Sequence, residues 1–236
     1  HGFSSERIVA VYEKYDDRGY YVAISEADRH ERLHYIATIH HGIDMAAFAP
    51  NSAPGTYLLF FGRIHPDKGT ATAIDVAERA GLPLTIAGII QDHEYFERLV
   101  EPRLDGERIR YIGPVGPEAR GGLLAGARAL LHLIDFEEPF GYSVVEAMAC
   151  GTPVIANARG SMPEIVRHGE GGYLVHGLDE AVAAVHASGD MDRLVVRASV
   201  ERRFDVERMV DEYLDVYRRV IAQRRAGRSR LEADSA

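Results

Sequence analysis

The chain has 236 residues, 46% of them hydrophobic and 27% charged, with a formal net charge of -9, a composition that fits a globular protein with one large core. That sign of charge argues against nucleic acid as a main partner, and no run of about eighteen apolar residues is present to span a membrane. No charged-then-apolar leader opens the sequence and the single cysteine, Cys150, excludes an internal disulfide, so a reducing, cytoplasmic setting is expected.

Ser4 to Tyr15 reads as a helix, Tyr20 to Ile24 as a strand, and Ile36 to His40 as a second strand. Between the strands a short helix capped by Ser25 is expected. It would carry His30-Glu31-Arg32-Leu33-His34, which satisfies the H-E-x-x-H spacing of zinc proteases. A helix of roughly nine residues is a poor platform for that motif, so the match reads as chance and no metal site is expected. His40-His41 likewise reads as a strand-end pair. Asn51-Ser52-Ala53-Pro54-Gly55 is the clearest linker.

Strands and helices then alternate. Strands are expected at Tyr57 to Phe61, Leu84 to Ala87, Ile109 to Ile112, Ala129 to Ile134, Pro153 to Ala156 and Gly172 to Val175. Helices are expected at Thr70 to Ala80, Glu94 to Glu101, Pro117 to Gly126, Tyr142 to Ala149 and Leu178 to Ala187. The strands are short continuous apolar runs, as when helices cover both faces. The predicted fold class is therefore α/β, a doubly wound, Rossmann-like parallel sheet whose ligands bind beyond the carboxyl ends of its strands. Two closing helices follow, Asp190 to Arg202 and Val206 to Gln223, the second with an apolar stripe of Met209, Tyr213 and Tyr217. Arg218, Arg219, Arg224, Arg225, Arg228 and Arg230 complement the dipole at its end. Peripheral contact with an anionic membrane surface is the weaker alternative.

The chemistry concentrates in Glu138-Pro139-Phe140-Gly141-Tyr142-Ser143-Val144-Val145-Glu146, which runs on through Ala-Met-Ala-Cys-Gly-Thr-Pro-Val-Ile to Ala156. A carboxylate follows an apolar strand, and a helix then opens near Tyr142 with unpaired backbone N–H groups that suit anions and hydroxyls. Glu146 lies one turn into that helix, on a neighbouring part of the same crevice. After the strand ending at Phe61 comes Gly62-Arg63-Ile64-His65-Pro66-Asp67-Lys68-Gly69. Arg63 offers a planar fork to phosphate, Lys68 a mobile point charge, and Gly62 close backbone approach.

These segments, with His41-Gly42-Ile43-Asp44, Pro163-Glu164-Ile165-Val166 and Gly171-Gly172-Tyr173-Leu174-Val175, resemble the family 4 retaining glycosyltransferases of the GT-B fold. Two departures stand out: Gly160-Ser161-Met162 where that family usually has a glycine pair, and His41 where Asn is common. The resemblance implies two nucleotide-fold domains facing across a cleft. Residues 1–50 would be a remnant of the N-terminal, acceptor domain and linker, 51–204 the nucleotide-sugar-binding domain, and 205–236 a crossing helix and basic tail. The chain would then need the missing first domain or a partner chain, and alone would be nearly inactive. The ligand implied is a nucleoside-diphosphate sugar, with no metal and no other cofactor. Glu146 would hold ribose hydroxyls. Glu138, with the N–H groups of Phe140, Gly141 and Tyr142, would hold the transferred sugar, and the base would lie against the Tyr111 to Val115 turn. The implied donor set is thus Gly62, Arg63, Lys68, Val115, Glu138, Phe140, Gly141, Tyr142, Ser143 and Glu146, with Arg63, Lys68 and Glu138 in catalysis. The family acts by front-face displacement, and polysaccharide biosynthesis is the implied setting. A sugar-nucleotide epimerase of the same architecture and a non-catalytic binding module remain alternatives. His1 is either a cleft histidine or a tag remnant.

Overall fold

A computed structural model describes residues 6–53 and 55–233 of the chain, with side chains from 7 to 225. The expectations for His1, Ser4, Pro54 and the side chains of Arg228 and Arg230 lie outside the described residues. β3 (Tyr57–Phe61), β4 (Leu84–Ala87), β5 (Ile109–Tyr111), β6 (Ala127–His132), β7 (Val154–Asn157) and β8 (Gly172–Val175) form one sheet in the order β5-β4-β3-β6-β7-β8. All of its pairings are parallel.

Alternate residues of the central strands enter opposite cores, as the pleat requires. Leu59, Leu130, Val154 and Ala156 pack with Leu124, Val144, Met148 and Val200, on helices α4 (Pro117–Gly126), α5 (Tyr142–Ala149) and α8 (Arg193–Glu201). Leu58, Phe60, Leu131 and Ile155 pack with Ile74, Ala77, Val100 and Val185, on α2 (Thr70–Ala80), the helical run from His93 through Arg103 that begins as α3 (His93–Tyr95), and α7 (Leu178–Ala187). The expected α/β doubly wound parallel sheet is formed. Its strand order reverses between β3 and β6: the chain leaves β3 toward β4 and β5, and leaves β6 toward β7 and β8. The loops after β3 and β6 therefore diverge, and the crevice between them is where such a sheet takes its ligand.

Before this sheet, α1 (Glu6–Lys14) precedes β1 (Tyr21–Ala23) and β2 (Tyr35–Thr38), which pair in parallel. The short helix expected between them is not formed. Ser25 Oγ does accept the Asp28 N–H at 2.9 Å, so the cap is made. The Arg29 N–H adds one turn bond to the Glu26 carbonyl at 3.2 Å, but the His30 N–H goes to the Tyr35 hydroxyl at 3.1 Å, and the turn stops. His30 and His34 consequently share no helix face, and His34 Nδ1 pairs with the Asp16 carboxylate.

The two units are tied by specific bonds. The Glu164 carboxylate, from α6 (Met162–Ile165), accepts the N–H groups of Glu26 and Ala27, both at 2.9 Å, and meets His40 Nε2 at 2.9 Å. Ile43 bridges Asp205 where α9 (Val206–Ala233) begins, and Arg208 donates to the His40 carbonyl at 2.7 Å. Buried Arg193 donates to the carbonyls of Asn51 (2.6 Å), Ala125 (2.8 Å) and Ala127 (2.9 Å) and to Thr152 Oγ1 (2.6 Å).

Several boundaries differ from expectation. β6 starts and stops two residues early. At its start Ala127 pairs with Tyr57. At its end the Ile134 carbonyl takes Asn157 Nδ2 (2.9 Å) and the Asp135 N–H takes the Asp67 carbonyl (2.7 Å), so both leave the ladder. α8 begins only at Arg193, where Asp192 caps it, and a 3₁₀ turn at Ser188–Asp190 precedes it. α9 continues past Gln223 to Ala233. Among the described residues no helix is long and apolar enough to cross a membrane.

Candidate functional site

The loop after β3 is pinned at its start by buried Ile64, whose N–H bonds the Ile89 carbonyl at 2.8 Å. A 3₁₀ turn at Pro66–Lys68 follows, and Gly69 ends it at φ 72. A Cβ at Gly69 would lie 2.1 Å from the Leu133 carbonyl oxygen. That close approach, together with the Asp135 to Asp67 bond, brings the two diverging loops together and aims Lys68 across the crevice. Its Nζ sits 2.8 Å from Glu138 Oε2 and 4.3 Å over the Phe136 ring.

The loop after β6 is held from below by the segment that departs from the family pattern. The Ser161 N–H donates to the Glu138 carbonyl at 2.8 Å, and buried Ser161 Oγ donates to the Phe140 carbonyl at 2.9 Å. Gly160 passes so near that a Cβ would stand 2.4 Å from the Glu138 backbone. Gly141 then takes φ 88, which favours glycine, and α5 opens with no side-chain cap. The other departure, His41, stacks on the Tyr142 ring at 5.0 Å and 18° and meets Phe140 edge-on at 5.2 Å.

The result is a cavity of about 280 Å³. Gly62, Arg63, Lys68, Glu138, Gly141, Tyr142, Ser143 and Glu146 all line it. Two residues of the expected donor set do not. Phe140 is 2% exposed and supports the site from beneath, and half-buried Val115 packs against the core. A Cβ on Gly62 would meet nothing within 4 Å, so its missing side chain leaves open volume. Arg63 is exposed and donates to the Gln91 side-chain oxygen.

Two polar lining residues went unread in the sequence, Arg120 and His132. Arg120 is the one cation of α4, and its Nη1 meets Glu146 Oε1 at 2.8 Å. Burial raises the Glu146 pKa, and Arg120 opposes that shift. His132 interrupts an otherwise apolar run at the end of β6, a signal visible in the sequence. Burial, with Lys68 adding to it, pushes its pKa down to about 3. The site therefore offers fixed cations, an uncapped helix start and two carboxylates. That set suits a ligand bearing both anionic oxygens and hydroxyls, since a carboxylate only accepts hydrogen bonds and cations favour phosphate.

The model of glycosyl transferases group 1 matches residues 47–187. D-inositol 3-phosphate glycosyltransferases of Mycobacterium marinum and Mycolicibacterium smegmatis are 31% and 30% identical over 227 and 234 residues. The alignments cover 84% and 90% of this chain but 48% and 53% of those proteins, so the chain spans about half the length of the curated relatives it matches. AviGT4, a glycosyltransferase involved in avilamycin A biosynthesis, is similar at a TM-score of 0.73 and 29% identity, over 85% of this chain and 64% of that one. Anabaena HepE in complex with UDP-glucose is similar at a TM-score of 0.76 over 91% of this chain and 68% of that one; at 22% identity that likeness speaks to the fold.

Proposed function

The chain belongs to the glycosyl transferases group 1 family, and we propose that it supplies the donor-binding half of a retaining, metal-independent transferase of the family 4 type that uses a nucleoside-diphosphate sugar. The observation that carries this is the meeting of Lys68 and Glu138 at 2.8 Å across the crevice of the β3/β6 switch point. A cation suited to phosphate lies beside a carboxylate suited to hydroxyls, as the junction of a diphosphate and a sugar would require.

In this reading Arg63, Lys68 and the start of α5 hold the diphosphate, and their positive charge is worth most as the bond to the leaving phosphate breaks and its charge grows. Glu146, steadied by Arg120, takes the ribose hydroxyls, and Glu138 takes those of the transferred sugar. Val115 and the turn before it border the base. The acceptor oxygen attacks the anomeric carbon on the face the phosphate leaves, and the departing phosphate oxygen takes the acceptor proton. No enzyme nucleophile is required. Residues 51–204 bind the donor, the helix from 205 crosses back to residues 1–50, and those fifty residues adjoin the acceptor domain. Orientation of two substrates is a large part of such catalysis, so this chain alone is expected to transfer little. The family match supports transfer and lends nothing to the epimerase alternative.

Calorimetry with UDP, GDP and ADP in the presence of a chelator tests the reading. One of the three should bind at micromolar concentration. Failure of all three would overturn the donor site, and binding that required added magnesium or manganese would overturn metal independence.

A further inference from the structure

His132 has a side chain 8% exposed, lines the cavity, and carries a buried Nε2 with no hydrogen-bond partner. Buried polar atoms are almost always bonded, and an unpartnered one on a residue that lines a cavity points to a partner supplied by what the cavity holds. The facing charges are Glu138, whose Oε2 is 3.7 Å from Nε2, and Lys68, whose Nζ already meets that same oxygen at 2.8 Å. At 3.7 Å the histidine and the carboxylate make no hydrogen bond with each other. The separation instead leaves one oxygen within hydrogen-bond reach of both.

We propose that His132 Nε2 and Glu138 Oε2 together read one hydroxyl of the transferred sugar, which makes His132 a specificity-determining residue of the cavity. The inference rests on the donor reading above and adds a second recognition group to its sugar end. A hydroxyl is the group that fits the pair. It donates its proton to the carboxylate, which can only accept, and takes the N–H of a neutral imidazole on its lone pair. A second anionic oxygen there would face Glu138, and a methylene would leave Nε2 unpaired. A site built to bond a hydroxyl rejects an analogue that lacks it far more strongly than a merely apolar pocket rejects a change in size.

The test is calorimetry with the base the chain selects, as the free diphosphate and as its hexose conjugate: UDP and UDP-glucose, GDP and GDP-mannose, or ADP and ADP-glucose. His132→Phe should leave affinity for the diphosphate within about twofold and lower that for the conjugate tenfold or more. Among conjugates deoxygenated at single positions of the hexose, one should bind the wild-type chain at least as weakly as the parent conjugate binds His132→Phe, since it loses the bond to Glu138 as well, and should lose nothing further in that variant. His132→Gln, which keeps a side-chain N–H, should recover part of the loss. If His132→Phe misfolds, His132→Leu with the same deoxy series decides. Equal losses for diphosphate and conjugate, or a deoxy series in which no position couples to residue 132, would overturn the role of His132 while leaving the donor site standing. A wild-type chain that bound none of the three diphosphates would overturn both.

Discussion

The carbonyl oxygen of Gly62 lies 1.7 Å from where a Cβ on Gly88 would stand. The ends of β3 and β4 thus close to a distance that glycine at 88 permits, and its φ of 150 favours glycine as well. The two glycines predict opposite outcomes. Gly62→Ala should fold with stability unchanged or raised by about 0.5 kcal/mol, yet lose diphosphate affinity, because the new methyl enters open cavity. Gly88→Ala should fail to fold. Thermal melts and calorimetry check both, and a well-folded Gly62→Ala with full diphosphate affinity would remove Gly62 from the phosphate site.

Lys68 and Glu146 should fail in different ways. Glu146→Gln exchanges a charged acceptor for a neutral amide and should weaken nucleoside and diphosphate alike, by about 1.5 to 3 kcal/mol. Since burial already disfavours the Glu146 charge, the substitution should cost little stability. Lys68→Ala should weaken the diphosphate far more than the nucleoside. Its side chain is only 16% exposed, so salt should shrink the deficit less than it would for a loop charge. Titration of both ligands against both variants is the measurement; equal losses with Lys68→Ala would contradict the assignment of the Gly62 to Gly69 loop.

Acid should destabilise the fold through His132. Its pKa falls from 6.5 to about 3 on folding, so between those values the unfolded chain binds a proton that the folded chain refuses. The stability this neutral histidine lends is complete above pH 6.5 and is lost as pH falls toward 3, on the order of 1 kcal/mol for each pH unit. Denaturant melts at pH 7 and pH 5 should show a steeper decline for wild type than for His132→Phe. Parallel declines would show that the ring is not held neutral.

Arg193→Met should be among the costliest single changes outside the cavity. The guanidinium satisfies three carbonyls and the Thr152 hydroxyl from a position 6% exposed, and its removal strands them, for a loss of about 3 to 5 kcal/mol. Urea unfolding measures it, and a loss below about 1 kcal/mol would mean that water replaces the arginine.

The sheet was legible because its strands are short, mostly apolar runs punctuated by glycine and proline, and α2, α4, α5 and α7 have the bounds their sequence suggests. The loops after Phe61 and Ile134 were legible as a candidate site because a parallel sheet delivers its loops to one edge. What escaped depends on contacts remote in sequence. No local pattern reveals that the Tyr35 hydroxyl stops the turn begun at Ser25, or that Arg193 reaches carbonyls at 51, 125 and 127. Arg120 and His132 were visible as polar residues in apolar company, yet their place on the cavity follows from the packing of α4 on α5 and from where β6 ends.

Each carboxylate of the cavity is already met by a cation of the chain, Glu138 by Lys68 and Glu146 by Arg120. The two pairs largely cancel each other's field at a distance, on a chain whose formal net charge is -9. Of the cations lining the cavity, exposed Arg63 meets a neutral partner, Gln91, and in the proposed reading it is the charge left to attract an anionic donor at a distance. In that reading the donor would trade partners on arrival, Lys68 passing from Glu138 to phosphate while a sugar hydroxyl takes the place left on the carboxylate. Added salt should alter how fast the donor finds the site only as far as one exposed arginine allows, and the paired charges should express themselves in how long it stays.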